Sequence, residues 1–393
     1  RELSLAPSSE TQRLLDEILN AGTDSNKISP IQKHDRPVIQ PSFLKNEPLY
    51  EERSKFVARE REIAQLDHFL DIALHGHGQV VFITGEAGSG KTSLIQEFTQ
   101  RSLATNDRSL ANNSREFGFP PRVNLIIASG NCNAHTGIGD PYLPFREILE
   151  LLSGDVESRW TAGAISREHA QALWNILPDT IQALLELGPG LVDTFVSGLA
   201  LQERAAAYEP TKQEWHSRLE ELIGLITRNP TISSPQQQDI FEQYTRVLIA
   251  LASKAALVLV IDDLQWADLG SISLLFHLGR QLAGNRILIL GAYRSEEIAL
   301  GRGGKRHPLE AVVNEFQRMF GKNAVNLDQA ESAQFVSELL DSETNRFANY
   351  FRELLHSQTM GQPLFTIELL RGMQERGDLI QDPSGYWIEG PAL

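Results

Sequence analysis

Short apolar runs recur along the chain and alternate with longer segments in which apolar residues return every three or four positions. The runs are rich in β-branched residues and almost continuously apolar, which is typical of strands covered on both faces. Five runs predict strands: QVVFIT (79–84), RVNLIIAS (122–129), ALVLVID (256–262), RILILGAY (286–293) and AVNL (324–327). Because the intervening segments have the helical period, the pattern indicates an α/β fold with a five-stranded parallel sheet.

The predicted strands are unevenly spaced. Patterns such as FREILELL and TIQALLEL fall between the second and third runs, so we expect a helical insert at about residues 140–235. After the fifth run the chain is helical again, and LIQDPSGYWI (379–388) predicts a strand, a turn and a strand, as at the start of a winged-helix domain. We therefore divide the chain into four parts: a helix of a preceding helical domain (1–22), a proline-containing linker (23–53), an α/β core (54–328), and a helical lid with the truncated start of a winged-helix domain (329–393).

Composition narrows the class of protein. With 51 acidic against 36 basic side chains the formal net charge is −15, and such a surface repels nucleic-acid backbones. The single cysteine, Cys132, excludes an intrachain disulfide and favours a reducing compartment. The sequence has neither a signal peptide nor an apolar run of membrane-spanning length, so we expect a cytoplasmic protein without a membrane partner. Because it begins with Arg1 and stops after GYWIEGPAL, we expect it to be a fragment of a longer protein.

The stretch GEAGSGKTS (85–93) follows the first predicted strand and opens a helix. It satisfies G-x-x-x-x-G-K-[ST], a motif whose glycines let the backbone approach a phosphate and whose amides face the anion. Lys91 would place a charge at the outer phosphates, and Thr92 a hydroxyl at Mg²⁺. The predicted nucleotide contacts in this stretch are Gly85, Ala87, Gly88, Ser89, Gly90, Lys91, Thr92 and Ser93. The motif predicts a P-loop NTPase that binds ATP or ADP with Mg²⁺; the alternative is a glycine-rich turn that binds nothing.

Two further groups follow later strands. In LVLVIDDLQWAD (257–268) an apolar strand ends in Asp262, which would hold the Mg²⁺ shell through water, and Asp263, which would orient or deprotonate the attacking water. The division of roles between the two aspartates stays open, and the alternative is a strand-end turn that happens to be acidic. In GAYRSEE (291–297), Arg294 lies just past the next strand, on the sheet edge where ligands bind in open α/β folds, and could contact the γ-phosphate. The alternative for Arg294 is a surface ion pair with Glu296 or Glu297.

The motifs FVARERE (56–62), GEAGSGKTS, VLVIDDLQWAD, AYRSEE and GQPLF (361–365) occur in this order. As a set they resemble the STAND class of AAA+-related signal-transduction ATPases, in the branch found in large bacterial transcriptional regulators. The resemblance implies that Phe56, Val57 and Arg59 line the adenine, and that Pro363 brings the winged-helix domain onto the base. This chain has Ala58 where the family usually has glycine, which leaves the local backbone geometry open.

A second resemblance is confined to the start of the chain. LSLAPSSETQRLLDEIL (3–19) is similar to the last helix of the bacterial transcriptional activator domain, although any capped amphipathic helix has this pattern. The resemblance implies that DNA is bound only through domains that lie outside this chain.

Together these features predict an ATP-binding, slowly hydrolysing molecular switch that self-associates when ATP is bound. One alternative is a loader or remodelling ATPase of the origin-binding AAA+ type, which would need a basic channel or a DNA-dependent rate. The net charge of −15 argues against that alternative. Another is a nucleotide-binding scaffold without turnover, which a single-turnover hydrolysis measurement would distinguish.

Overall fold

The structure, a computed structural model, describes residues 59–111, 124–134, 141–208, 214–228, 236–300, 306–329 and 332–390. The chain divides into two units, Arg1–Ile39 and Gln40–Leu393, and every element described below belongs to the second. The helix predicted in residues 1–22 and the linker at 23–53 lie outside the described residues.

The described elements alternate between helices and strands in the core, as the apolar pattern predicts. Those up to the third strand are α1 (Glu60–Leu74), β1 (Gln79–Thr84), α2 (Lys91–Ala111), β2 (Leu125–Asn131), α3 (Leu143–Leu152), α4 (Glu157–Thr161), α5 (Arg167–Asn175), α6 (Leu177–Leu187), α7 (Gly198–Tyr208), α8 (Glu214–Arg228), α9 (Gln237–Lys254) and β3 (Ala256–Asp262). The remainder are α10 (Leu269–Gly279), β4 (Ile287–Tyr293), α11 (Ser295–Leu300), α12 (Pro308–Phe320), β5 (Ala324–Asn326), α13 (Ser332–Asp341), α14 (Asn349–Thr359), α15 (Pro363–Arg376), β6 (Leu379–Gln381) and β7 (Trp387–Glu389).

The five core strands form one parallel sheet in the order β2-β3-β4-β1-β5, which confirms the predicted fold class. β1, which leads into the phosphate motif, pairs with β4 on one side and β5 on the other. β3, which ends in the aspartate pair, lies on the far side of β4. Since parallel strands present their carboxyl ends at the same edge, this order places all three motifs together.

Both faces of the sheet are covered by helices, which explains the continuous apolar runs. Along β1, Val80 and Phe82 belong to one buried cluster, whereas Val81 and Ile83 belong to another on the opposite face. The first cluster extends into the helices between β2 and β3, and the second includes buried side chains of α1 and α2. Successive side chains of a strand point to opposite faces of the sheet, so a strand that is covered on both faces is apolar at every position.

The helical insert is anchored to the core by aromatic side chains near its start. Tyr142 contacts Phe241 of α9 edge to face, with ring centroids 6.0 Å apart. The hydroxyl of the fully buried Tyr244, on α9, donates to the carbonyl oxygen of Phe145 at 2.9 Å. These contacts join α3 to the helix that leads into β3, so the insert shares the core of the sheet.

Residues 332–390, here called the C-terminal domain, have a small core of their own. Its helices α13–α15 and strand β6 share a cluster of buried apolar side chains: Phe335, Val336, Leu340, Phe351, Leu355, Met373 and Leu379. The predicted strand–turn–strand is present, because β6 and β7 pair antiparallel and Gly385 in the turn has φ +82°. Nowhere in the described ranges is a helix both long and apolar enough to span a bilayer.

Candidate nucleotide-binding site

The loop between β1 and α2, residues 85–90, is here called the phosphate loop. Gly88 and Gly90 have φ of +76° and +90°, in the left-handed region that side chains with a Cβ rarely adopt. These two glycines allow the backbone to turn sharply from β1 into α2. The loop therefore presents main-chain amides and the N-terminus of α2 at the sheet edge, the arrangement that binds a phosphate.

Lys91 is buried at the base of the phosphate loop, with 8% of its surface exposed. Its Nζ donates to the carbonyl oxygens of Gly85 and Glu86, each at 2.8 Å. Burial lowers the pKa of Lys91, and the positive charge of Arg294 lowers it further. Nearby carboxylates oppose that shift. A buried ammonium facing a second cation is a favourable environment for an anion that binds between them.

The side chains expected to hold Mg²⁺ meet across the sheet edge. Thr92 Oγ1 donates to Asp262 Oδ2 at 2.8 Å, although the two residues come from different strand–loop units. Burial raises the pKa of Asp262, while the hydrogen bonds from Thr92 and from the amide of Asp263 lower it. A hydroxyl and a carboxylate side by side fit Mg²⁺, which takes few protein oxygens and completes its shell with phosphate and water.

Asp263 lies at the turn that follows β3, with φ +55°. Its amide donates to Asp262 Oδ1 at 2.8 Å, and its carboxylate accepts from Gln265 Nε2 at 2.7 Å. Gln265 is 2% exposed, and its Oε1 accepts the amide of Arg294 at 3.1 Å. One buried side chain thus connects the candidate water-orienting carboxylate to the end of β4. No motif in the sequence marks Gln265, which lies three residues after the end of β3.

Arg294 is at the predicted edge but its guanidinium is engaged locally. Nη1 donates to Glu297 Oε1 at 2.9 Å, and the guanidinium lies over the Trp266 ring, with Cζ 5.1 Å from the centroid. Trp266 Nε1 donates to the second oxygen of Glu297 at 3.1 Å. The ion pair with Glu297 is one of the two alternatives that the sequence left open. The other, contact between Arg294 and a γ-phosphate, stays a prediction.

Arg59 supports the phosphate loop through its guanidinium. Nη2 donates to the Ser89 carbonyl oxygen at 3.2 Å and Nη1 to the Leu327 carbonyl oxygen at 3.1 Å, and the residue is 7% exposed. Its guanidinium therefore ties the loop to the chain that follows β5. Phe56 and Val57, the other residues expected at the adenine, lie outside the described residues.

The C-terminal domain contacts the phosphate loop directly. Pro363 is the first residue of α15, and the next amide, that of Leu364, donates to the Gly88 carbonyl oxygen at 3.3 Å. Gln362 Nε2 donates to Glu86 Oε2 at 2.8 Å. A Cβ built on Gly88 would lie 2.9 Å from the Leu364 Cβ, so only glycine fits this approach. The family resemblance implied that Pro363 lies near the base of a nucleotide, which stays a prediction, but it gave no indication of Leu364 or Gln362 at the loop.

Two other predicted nucleotide contacts are Ala87, in the phosphate loop, and Ser93, in the first turn of α2. Both residues are exposed. A further residue, Asp328, was not predicted: its Oδ1 accepts the amide of Glu86 at 2.9 Å. Only the tertiary fold brings this carboxylate, which follows β5, to the loop after β1. The candidate site is therefore built from the carboxyl ends of β1, β3, β4 and β5.

Of three comparisons with known proteins, the family comparison is the informative one. A comparison with curated protein sequences returned no significant match. Among solved structures, one similar chain is from a structure of Drosophila ORC bound to DNA, with 11% identity and a TM-score of 0.37, over 94% of this chain and 69% of that chain. So distant a likeness bears on neither substrate nor partner. The family model described as AAA ATPase domain matches residues 55–290. Because that match spans more than half of the sequence, the protein belongs to the AAA ATPase domain family and is a nucleotide-binding ATPase of the AAA+ type.

Proposed function

We propose that this chain is the ATP-operated switch module, of the STAND type, of a bacterial signal-responsive transcriptional regulator. The observation that carries the proposal is the contact between the C-terminal domain and the phosphate loop, through Leu364 on Gly88 and Gln362 on Glu86. A domain that rests on the loop which holds the phosphates can respond to how many phosphates are bound. Nucleotide state and domain position are then coupled through one set of contacts.

The candidate site supplies a role for each group in slow hydrolysis. Lys91 and the loop amides would hold the phosphates, while Thr92 directly and Asp262 through water would hold Mg²⁺, which would neutralise charge on the outer phosphates. Asp263, positioned by Gln265, orients the attacking water and accepts its proton. Without an arginine supplied by a partner, a site of this type turns over at about 10⁻⁴–10⁻² s⁻¹. Such a slow rate suits a regulatory switch better than a motor protein.

The proposed cycle has two states of the C-terminal domain. With ADP the domain stays on the phosphate loop, with Pro363 at the base; with ATP and Mg²⁺, Arg294 contacts the γ-phosphate and the domain is released. Moving such an equilibrium from 1:99 to 99:1 requires about 5.5 kcal/mol of differential affinity. Charge-assisted hydrogen bonds contribute about 1.5–3 kcal/mol each, so two or three contacts to one additional phosphate are sufficient.

The released form is the one that we expect to self-associate, and hydrolysis returns the module to the closed form. The net charge of −15 disfavours contact between this module and a nucleic-acid backbone, and we propose that other domains of the regulator bind DNA. A DNA-stimulated ATPase rate in this module alone would therefore contradict the proposal.

Two measurements on the chain test the switch. Single-turnover assays with bound ATP should release phosphate slowly, and a complete lack of release would exclude a switch reset by hydrolysis.

Hydrogen exchange should show slow exchange at residues 361–366 with ADP and faster exchange with a non-hydrolysable ATP analogue. The variant Leu364→Asp should exchange quickly with either nucleotide, because its charge disfavours packing on Gly88, whereas Tyr350→Asp, at an exposed position elsewhere in the domain, should behave as the wild type. Equal exchange with ADP and the analogue in the wild type would refute the coupling.

A further inference from the structure

Arg294 is held away from full solvent by two neighbours that act together. Glu297 uses one carboxylate oxygen for the guanidinium and the other for the indole N–H of Trp266, at 2.9 and 3.1 Å. The guanidinium also lies on the indole face, 5.1 Å from its centroid, which is a cation–π distance. The side chains of Arg294 and Glu297 are only 31% and 38% exposed. This arrangement is an organised receptor for the arginine rather than a chance surface pair.

The backbone at Arg294 is fixed, whereas its side chain has two possible anionic partners. Its amide is bonded to the buried Gln265, so the main chain stays at the end of β4. β4 lies between β1, which leads into the phosphate loop and Lys91, and β3, which ends at the aspartate pair. The guanidinium is close enough to Lys91 for the two positive charges to influence each other. A rotation of the Arg294 side chain alone can therefore exchange the Glu297 carboxylate for a γ-phosphate.

We propose that Glu297 is an internal competitor for the γ-phosphate and thereby sets how strongly the site prefers ATP over ADP. This inference rests on the proposed function, in particular on Arg294 contacting the γ-phosphate. ADP lacks the phosphate that would displace the carboxylate, so the Arg294–Glu297 pair stays intact when ADP is bound. ATP binding breaks the pair, and part of its additional binding energy is used to do so. Glu297 is thus a positioning residue that tunes discrimination without touching the nucleotide.

Trp266 provides a direct readout of the exchange. When Arg294 leaves, the indole loses the cation on its face while keeping the carboxylate on its N–H, so its emission should change. The change should occur with a non-hydrolysable ATP analogue and Mg²⁺ but not with ADP and Mg²⁺. It should be absent in Trp266→Phe, although the four other tryptophans remain.

The experiment measures dissociation constants for ADP and for the non-hydrolysable ATP analogue, both with Mg²⁺. Glu297→Gln keeps the size of the side chain and removes its charge, and it should bind the analogue two- to fivefold more tightly while ADP affinity stays unchanged. Fivefold corresponds to about 1 kcal/mol, the upper range for a partly exposed ion pair. The matched control is Glu296→Gln, which makes the same charge change at the exposed neighbouring position and should leave both constants unchanged. Arg294→Ala should abolish most of the preference for the analogue.

The outcomes separate this inference from the proposed function. If the wild type binds neither nucleotide, the proposed function fails, and this inference with it. If nucleotides bind and Arg294→Ala loses the preference, but Glu297→Gln matches Glu296→Gln, the competitor role is wrong while the switch stands. The competitor role is also overturned if the wild-type Trp266 emission responds equally to ADP and the analogue, a test that does not depend on any variant at Glu297.

Discussion

Replacing Lys91 by methionine tests the nucleotide site most directly. The wild-type ammonium is buried and donates to the Gly85 and Glu86 carbonyl oxygens, so it stabilises the main chain of the phosphate loop even without a phosphate. Methionine keeps the unbranched apolar stem and removes the charge. Because the two carbonyl oxygens then lose their partner, we expect the free protein itself to melt at a lower temperature. The informative quantity is therefore the shift that a nucleotide causes in each protein, not the melting temperature alone.

The size of that shift follows from mass action. A ligand at 1,000 times its Kd stabilises the folded state by about 4 kcal/mol. In a core larger than 200 residues, about 2 °C of melting temperature corresponds to each kcal/mol, so the wild-type shift is about 8 °C. Two lost charge-assisted hydrogen bonds, at about 2 kcal/mol each, raise the Kd about 1,000-fold. At the same ATP concentration Lys91→Met then retains about 0.4 kcal/mol, a shift below about 1 °C.

Thermal unfolding followed by circular dichroism, with and without Mg²⁺-ATP, measures these shifts. Lys322→Met is the matched control, because Lys322 is exposed in the turn before β5 and should keep the full shift. A normal nucleotide-induced shift in Lys91→Met would show that ATP binds elsewhere and refute the site.

Three further variants test other parts of the structure. Asp263→Asn should bind ATP normally and release phosphate about 100-fold more slowly in single turnover, because the amide cannot accept the water proton; full activity would assign the base to another group. Burial raises the pKa of Asp262, so folding favours its protonated form and its charge destabilises the protein at pH values above that pKa. Asp262→Asn should consequently melt higher than the wild type at neutral pH without nucleotide, the difference should shrink as the pH falls through the carboxylate range, and Mg²⁺-dependent stabilisation should be lost; a difference independent of pH would contradict the assignment. Gly130→Ala should lower the free energy of unfolding by about 1–3 kcal/mol in a denaturant titration, because its Cβ would lie 2.0 Å from the Pro144 carbonyl oxygen, whereas Gly224→Ala, in α8 with open space around it, should not destabilise.

Much of the fold follows from the apolar pattern. β1 and β3 have the bounds of the corresponding apolar runs, because a strand buried on both faces is apolar from end to end. The second strand is less well predicted: it continues to Asn131, beyond the apolar run, since Gly130 and Asn131 still pair with β3. The composition of a strand reflects whether it is buried, but it does not show how far the strand continues to pair with its neighbour.

The candidate site is predictable only in part, for a similar reason. Lys91, Thr92 and Asp262 are each identified by a local motif, and the parallel sheet brings them together. Gln265 and Glu297 have no such motif, because their importance lies in contacts with groups that only the folded chain brings near. Arg59 was assigned to the adenine by resemblance, yet its guanidinium bonds show a role in holding the phosphate loop that resemblance alone did not indicate. The family resemblance identified Arg59 as a site residue but did not indicate which hydrogen bonds its guanidinium makes.

The strand order has a consequence for how the protein is made. Of the five sheet strands that the structure describes, β1 is synthesised first, yet both of its neighbours, β4 and β5, come from the far end of the core, with Gln79 opposite Leu288. β1 therefore stays without its sheet partners until nearly the entire core has been translated, and contacts this remote in sequence form slowly. We expect nascent chains that stop before β4 to bind no nucleotide and to depend on chaperones, so that ATP capture marks the completion of the core.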